Sequence, residues 1–337
     1  MCSTPSEFWC NYSNAREYIC EGVNVQLYGN AHIYGTGCSK IPSKFQFQER
    51  FKSQKSLITS NLKNTHTCKH SLKDAIYIPV TDTDMWNPYE GLHNHNTAFV
   101  AMMIMGLVSN NIIFDKVQGN PNQPNTLLEI WTTTFPHVYD LSETGPICVN
   151  RVIIPPSSEN SLQTWHQKTC KDQNIARMYR DWVLRSFNIP LISVPYDADI
   201  PRVLYTMRKR GLRRFMENEE DMLSTMKKNN NILVQSKVLH RLDVKTQIDL
   251  IYNTDILIST HGATLAWLFI LKPCAQVIEI FSQPHYVHMA KVYSIQYHSV
   301  ASNVQWGSKS YNVDINAVVE KIKQARDAWK QCISKYY

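Results

Sequence analysis

Asn253-Thr254-Asp255-Ile256-Leu257-Ile258-Ser259-Thr260-His261-Gly262-Ala263 is the stretch on which the reading of the fold turns. Asp255 to Thr260 reads as a strand, and an apolar helix from Thr264 to Leu271 follows it after a glycine turn. Gly262 has no Cβ, so the turn can be tight and a ligand can come close to the backbone. The helix points its free N–H groups and positive dipole end at the same place, a geometry that suits a pyrophosphate. His261 then stands at the rim, able to donate to a phosphate oxygen. The plain alternative is an ordinary strand-to-helix turn with a satisfied histidine.

Strands and helices alternate on both sides of this stretch. Arg202 to Met207, Ile232 to Val238, Gln276 to Phe281 and Tyr297 to Ala301 read as strands. Asn218 to Lys228, Ile251 back to an N-cap at Asp243, Tyr286 to Tyr293 and Asp314 to Ser334 read as helices. Such alternation means a parallel sheet covered by helices, an α/β fold whose ligand sits beyond the C-terminal strand ends. Upstream, Ala75 to Val80, Leu127 to Trp131 and Val149 to Ile154 read as strands, with apolar helices over 97–108 and from Asp172 to Phe187. The stretch before them is irregular and rich in Cys, Asn, Ser and Lys. The expected organisation is a Cys-rich lead-in over 1–73, a first domain over 74–190, a second over 191–311, and a C-terminal helical segment over 312–337.

The chain has 337 residues, enough for two domains, and 43% are hydrophobic, which rules out wholesale disorder. Lys+Arg 35 against Asp+Glu 28 gives a net charge of +7. That mild excess suits an acidic small ligand such as a nucleotide sugar. A nucleic-acid-binding role is disfavoured, because no RNA or DNA module is present and no aromatic residues interleave the basic run Arg208–Arg214. No segment reaches the ~20 apolar residues of a membrane span. The N-terminus MCSTPSEFWC lacks the regions of a signal peptide. The nine cysteines, four of them in the first 40 residues, point instead to a disulfide-forming lumenal setting. The expectation is a domain of the secretory pathway, in the Golgi or endoplasmic reticulum, attached to a membrane only through an anchor absent from this chain.

Three landmarks in the second half carry a resemblance. They are Met207-Arg208-Lys209-Arg210-Gly211-Leu212-Arg213-Arg214-Phe215-Met216-Glu217-Asn218-Glu219, then Gln247-Ile248 leading to His261-Gly262-Ala263, then Leu268-Phe269, Pro273 and Val277-Ile278-Glu279-Ile280-Phe281. In this order and spacing they resemble glycosyltransferase family 61, which contains plant β-1,2-xylosyltransferases and animal lumenal O-GlcNAc transferases. The resemblance implies a GT-B architecture, two Rossmann-like domains facing across a cleft. The second domain would bind the nucleotide sugar, the first would present the acceptor, and the last helix would return to brace the first. It implies inverting transfer of xylose or N-acetylglucosamine from a UDP-sugar to a glycan or glycoprotein hydroxyl. No permanently bound cofactor is implied, and no metal requirement.

Inverting transfer needs a base for the attacking hydroxyl and positive charge for the departing diphosphate. Arg208 at a strand end, with Arg213 and Arg214 in the loop beyond, offers bidentate phosphate donors alongside His261, Gly262 and Ala263. Glu279, at the next strand end, can accept from a ribose hydroxyl. On the acceptor side the family shows an Asn, a His three residues later and then an acidic residue. Here the segment reads Asn87-Pro88-Tyr89-Glu90-Gly91-Leu92-His93-Asn94-His95, with Glu90 in the His place. Glu90 is one candidate base, and His93 or His95 another. Trp86 and Asn87 are candidates for acceptor contact. The departure from the family pattern motivates an alternative, a catalytically drifted module of the same fold that binds glycans or nucleotides. The triplets Asp82-Thr83-Asp84 and Asp197-Ala198-Asp199 have the oxygen ligands of a divalent-metal site, but arginines and a helix end replace the metal in GT-B sites.

Overall fold

The structure is a computed structural model of the chain. It describes residues 7–14, 17–28, 32–35, 58–61, 67–78, 87–107, 111–115, 126–155, 172–191, 200–208, 212–229, 231–305 and 307–336. The chain divides into two compact units, Met1–Ser161 and Leu162–Tyr337. Among the described residues no helix is long and apolar enough to cross a membrane.

The first unit contains β1 (Glu7–Asn14), β2 (Glu17–Tyr28), β3 (His32–Gly35), β4 (Ile58–Asn61), β5 (His70–Ile78), α1 (Pro88–Met105), β6 (Asn111–Phe114), α2 (Thr126–Thr134), β7 (His137–Asp140), α3 (Leu141–Thr144) and β8 (Ile147–Ile154). Its sheet runs β4-β3-β2-β8-β5-β6-β7, with β1 also paired to β2. The run β8, β5, β6, β7 is parallel throughout. Read from β7 and numbered in chain order that is 3-2-1-4, part of a doubly wound fold. β2 adds to it antiparallel, against β8.

The stretch expected to be an irregular lead-in therefore supplies four strands. Asn, Gly and Glu interrupt its apolar residues, so no clean period is visible. What makes β2 a strand is its pairing with β8 more than a hundred residues away, pinned by Arg151 Nε donating to Glu21 Oε1 at 2.6 Å. Cys20, Val25, Leu27, Ile33, Tyr77 and Val152 share the resulting core. A disulfide joins Cys68 to Cys148.

Two helices also depart from expectation. α1 begins at Pro88, with Asn87 as its N-cap and Gly106 closing it at φ 60°. The helix expected over 97–108 thus begins nine residues earlier, started by a capping Asn and a proline at the position where a missing N–H costs nothing. Leu127–Trp131, read as a strand, lies inside α2. There Leu127, Ile130 and Trp131 turn inward at helical spacing.

The second unit contains α4 (Asp172–Ser186), β9 (Arg202–Thr206), β10 (Phe215–Met216), α5 (Glu219–Lys227), β11 (Leu233–Lys237), α6 (Val244–Tyr252), β12 (Ile256–Thr260), a 3-10 helix (Ala263–Ile270), β13 (Gln276–Phe281), α7 (Val287–Val292), β14 (Gln296–Ala301), β15 (Ser310–Tyr311) and α8 (Ile315–Tyr336). Five strands form one sheet in the order β11-β9-β12-β13-β14, parallel at every pairing. Numbered within the sheet, that is the doubly wound order 2-1-3-4-5, whose direction reverses between β9 and β12. β12 and β13 are buried along their whole length, as strands covered on both faces must be. Asp243 caps α6 by accepting from Thr246 N at 2.8 Å.

α8, which the resemblance assigned to bracing the first domain, lays Val318, Ile322 and Ala325 into the second unit's core. A disulfide between Cys274 and Cys332 ties it there. α4 precedes the expected boundary at 190, yet it also packs in the second unit, where Tyr179 stacks on Phe269 at 5.1 Å.

Candidate functional site

The C-terminal ends of β9 and β12 lie side by side where the strand order reverses, the position at which doubly wound sheets open a crevice. The two ends are stitched by Thr206 Oγ1 donating to Ser259 Oγ at 2.7 Å. Two residues beyond β9, Arg208 sends Nη2 to the carbonyl of His261 at 2.8 Å and Nη1 to that of Arg213 at 3.1 Å. Burial, reinforced by the nearby Arg214, lowers its pKa to about 10. Arg208 is therefore still a cation at neutral pH.

The guanidinium explains Gly262. A Cβ built on Gly262 would stand 1.8 Å from Arg208 Nη2. The backbone there is extended, at φ 161°, so no special conformation requires glycine. The expectation that Gly262 leaves room for a ligand is corrected: the room is filled by Arg208. Ala263 opens the 3-10 helix, one residue ahead of the expected start.

His261 is 1% exposed, so its ring lies beneath the surface and not at the rim. It stacks on Phe281 with centroids 4.3 Å apart. Its Nδ1 is hydrogen-bonded to Glu279 Oε1. Burial lowers the imidazole pKa and outweighs the pull of Glu279, so the ring is neutral and Nδ1–H donates. Glu279 is 0% exposed. Its Oε2 accepts from the backbone N–H of His285 at 3.1 Å, that of Tyr286 at 3.2 Å and the Tyr297 hydroxyl at 2.5 Å. Burial raises the carboxyl pKa, but the bonds from His261 and Tyr297 more than offset it and leave the group below its usual range. Glu279 is thus an internal anion engaged on both oxygens. A ribose cannot reach it, which corrects the role expected from its strand-end position.

The arginine loop is held from the other side. Arg214 N donates to Ser308 O at 2.8 Å, Phe215 N to Lys309 O at 3.1 Å and Glu217 N to Tyr311 O at 2.9 Å. Asn218 pairs through both side-chain atoms with the backbone of Val313, at 2.8 and 3.0 Å. Arg214 sits at φ 61°, a left-handed conformation costing a non-glycine residue roughly 1–2 kcal/mol. Such strain persists where the surroundings over-determine it, commonly at functional loops. Arg213 contributes its carbonyl to Arg208 and exposes its side chain.

Beside the loop opens a cavity of about 840 Å³, lined by Arg213, Phe215, Met216, Glu217, Glu219 and Lys309 among others. Glu219 accepts from the Tyr205 hydroxyl at 2.7 Å, and burial raises its pKa. The Tyr311 hydroxyl meets Thr260 Oγ1 at 2.6 Å, and the Tyr286 hydroxyl donates to Gly262 O at 2.9 Å. The individual roles of these three tyrosines were not legible in the sequence. None of the three falls within the quoted landmarks.

In the first unit Asn87 spends its side-chain oxygen on Tyr89 N at 3.1 Å, as a helix cap. His93 is 3% exposed, edge-on to Tyr89 with centroids 4.1 Å apart. His95 is a core residue. It is 0% exposed, hydrogen-bonded to Thr134 Oγ1 at 2.8 Å, and burial lowers its pKa to about 3. A histidine held that firmly neutral and sealed from solvent is no candidate base. Glu90 lies in the first turn of α1, and its side chain falls outside the described residues, as do Trp86 and both Asp-x-Asp triplets. Among the described residues no three His, Cys, Asp or Glu side chains gather as a metal site.

Comparison with known proteins agrees with the landmarks. The EGF domain-specific O-linked N-acetylglucosamine transferase of Drosophila melanogaster is 26% identical over 158 residues, which is 45% of this chain and 30% of that relative. The match thus spans less than a third of the relative's length. Residues 69–278 match the model of the family Glycosyltransferase 61. That range is well over half of the chain and runs from β5 into β13, through Arg208, His261 and Gly262, so the chain belongs to glycosyltransferase family 61.

Proposed function

We propose that the chain is an inverting glycosyltransferase of GT-B type that moves a sugar from a UDP-sugar to a hydroxyl of a glycan or glycoprotein. The observation that carries this reading is the fixed guanidinium of Arg208 at the switch point of a parallel sheet. A cation held by two carbonyls in advance of the reaction needs no reorganisation as negative charge develops on a leaving diphosphate. Arg214 and the N-terminus of the 3-10 helix from Ala263 add donors and positive potential on the same side. These cations do the work that a divalent metal does in other sugar transferases. The neighbouring cavity, with three glutamates and a phenylalanine face in its lining, suits a hydroxyl-rich ring.

In the transfer, the acceptor oxygen bonds to the anomeric carbon from the face opposite the diphosphate. The anomeric C–O bond breaks and its electron pair leaves with UDP. The acceptor proton passes to a base on the first unit, for which Glu90 and His93 at the start of α1 are the candidates. The relative's name makes N-acetylglucosamine the first sugar to test, and xylose the second. The disulfides Cys68–Cys148 and Cys274–Cys332 fit an oxidising compartment of the secretory pathway.

The test is calorimetric titration with UDP, with and without Mn²⁺, followed by assay of UDP release when glycoprotein acceptors are supplied. Metal-independent micromolar binding, lost in Arg208→Ala, is the expected result. Binding that requires Mn²⁺ would move the diphosphate to an Asp-x-Asp triplet and overturn the role of Arg208. Binding without turnover on any acceptor would favour a drifted binding module.

A further inference from the structure

Glu279 does more than fill a buried position. It gathers three separate pieces of chain around one carboxylate. Its Oε1 takes the ring of His261. Its Oε2 takes the N–H groups that start the α7 segment, at His285 and Tyr286, and the hydroxyl of Tyr297 on β14. Tyr286 in turn reaches back to the carbonyl of Gly262. The two backbone carbonyls at the site's turn, those of His261 and Gly262, are therefore both referred to Glu279. The His261 carbonyl is the one that holds Nη2 of Arg208.

We propose that Glu279 is a positioning residue of the anion site: it locks His261 as the neutral Nδ1–H tautomer and, through the turn so fixed, sets the guanidinium of Arg208. The inference rests on the reading of Arg208 given above and adds the residue that places it. The charge balance is consistent. Besides Glu279, the ring of His261 faces His285 and Arg214, and both oppose a second proton on it. An anionic partner at Nδ1 and the Arg214 cation nearby select one protonation form of the ring.

The asymmetry of the two oxygens supplies a decisive variant. In Glu279→Gln the single amide oxygen has three donors to serve at the old Oε2 position, from His285, Tyr286 and Tyr297. The amide NH₂ then faces His261 Nδ1 and must donate to it, which forces the imidazole proton onto Nε2. The side chain keeps its shape and the three donors at the old Oε2 position keep their acceptor, and the thermal midpoint of the variant checks that it folds. Tyr297→Phe is the control. It removes one donor from Oε2 and leaves the His261 bond alone.

The experiment is nitrogen-15 NMR of histidine-labelled protein without ligand, with His261 assigned by its absence in His261→Gln, combined with UDP titration of each variant. The wild type and Tyr297→Phe are expected to hold the Nδ1–H tautomer, and Glu279→Gln the Nε2–H tautomer. UDP affinity is expected to fall roughly tenfold in Glu279→Gln, less than on losing Arg208 itself, and to stay near wild type in Tyr297→Phe. An Nε2–H or doubly protonated ring in the wild type at neutral pH overturns the proposal, whatever becomes of the variants. So does a reversed tautomer with unchanged UDP affinity, because the turn would then not transmit to Arg208. If the tautomers behave as stated and the wild type binds no UDP, the proposed function fails and the lock on His261 stands.

Discussion

Gly262→Ala isolates the contribution of Arg208 without altering Arg208. Alanine tolerates the extended backbone of residue 262, at φ 161° and ψ 178°, so no conformational penalty is expected. The new methyl carbon would meet Nη2 at 1.8 Å and Cζ at 3.1 Å. Both atoms are at the far end of a flexible side chain, so the guanidinium swings away and the sheet stays put. The loss is then the charge-assisted bonds of Arg208, to the His261 carbonyl in the free protein and, on the proposed function, to the diphosphate of bound UDP. A hydrogen bond to a charged group contributes roughly 1.5–3 kcal/mol. At 1.4 kcal/mol per tenfold, UDP binding should weaken about 10- to 150-fold. Titration of four proteins closes a double-mutant cycle: wild type, Gly262→Ala, Arg208→Ala and the double variant. If Gly262 acts only through Arg208, the alanine at 262 costs nothing further once Arg208 is gone. Wild-type affinity in Gly262→Ala, or strict additivity in the cycle, would refute the reasoning that glycine is there to seat the guanidinium.

Two further outcomes concern the folded state. The pKa of His95 is about 3 in the folded protein, and near 6.5 once unfolded, so below pH 6.5 only the unfolded chain takes up the proton. Stability is complete above that value and drops as pH falls towards 3. Urea unfolding should show the wild type losing about 1.4 kcal/mol between pH 8 and pH 5.5 relative to His95→Gln, and no such difference would mean the ring reaches solvent. The Cys274–Cys332 disulfide spans 58 residues, so Cys332→Ser should cost about 4 kcal/mol by the loop-entropy relation. A thermal midpoint unchanged in Cys332→Ser would show that α8 is held by packing alone.

The second unit was the more legible in sequence, and the reason is physical. Its strands are mostly short apolar runs that alternate with helices along the chain, so local pattern and tertiary role agree. Asp243 capping α6 is one such case. In the first unit the two diverge. β2 is a strand because β8 accepts it as a neighbour, and nothing local says so. The threonines and isoleucine of α2 favour a strand by propensity, yet Trp131 meets the His95 ring edge-on, with centroids 4.6 Å apart, and that packing decides the matter. At the candidate site, residue types were readable and their tasks were not. Arg208, His261, Gly262 and Glu279 were all singled out, because charge, glycine and a strand-end carboxylate are visible in a sequence. Depth is not visible. Only coordinates reveal that His261 and Glu279 lie under the surface and support the arginine from below, or that the missing Cβ of Gly262 makes room for a side chain of the protein itself.

The backing of the arginine loop has a consequence for biosynthesis. Residues 214–217 are held by backbone bonds to 308–311, and Thr260 is met by Tyr311. Arg208 and its carbonyl partner His261 are already 53 positions apart. A chain emerging from the ribosome can therefore build all five strands of this sheet while the loop still lacks its last support. The loop is complete only when residues 308–311 have docked. On the proposed function, UDP binding would thus report finished folding, and a product whose 308–311 segment is frayed would keep its sheet yet lose UDP affinity.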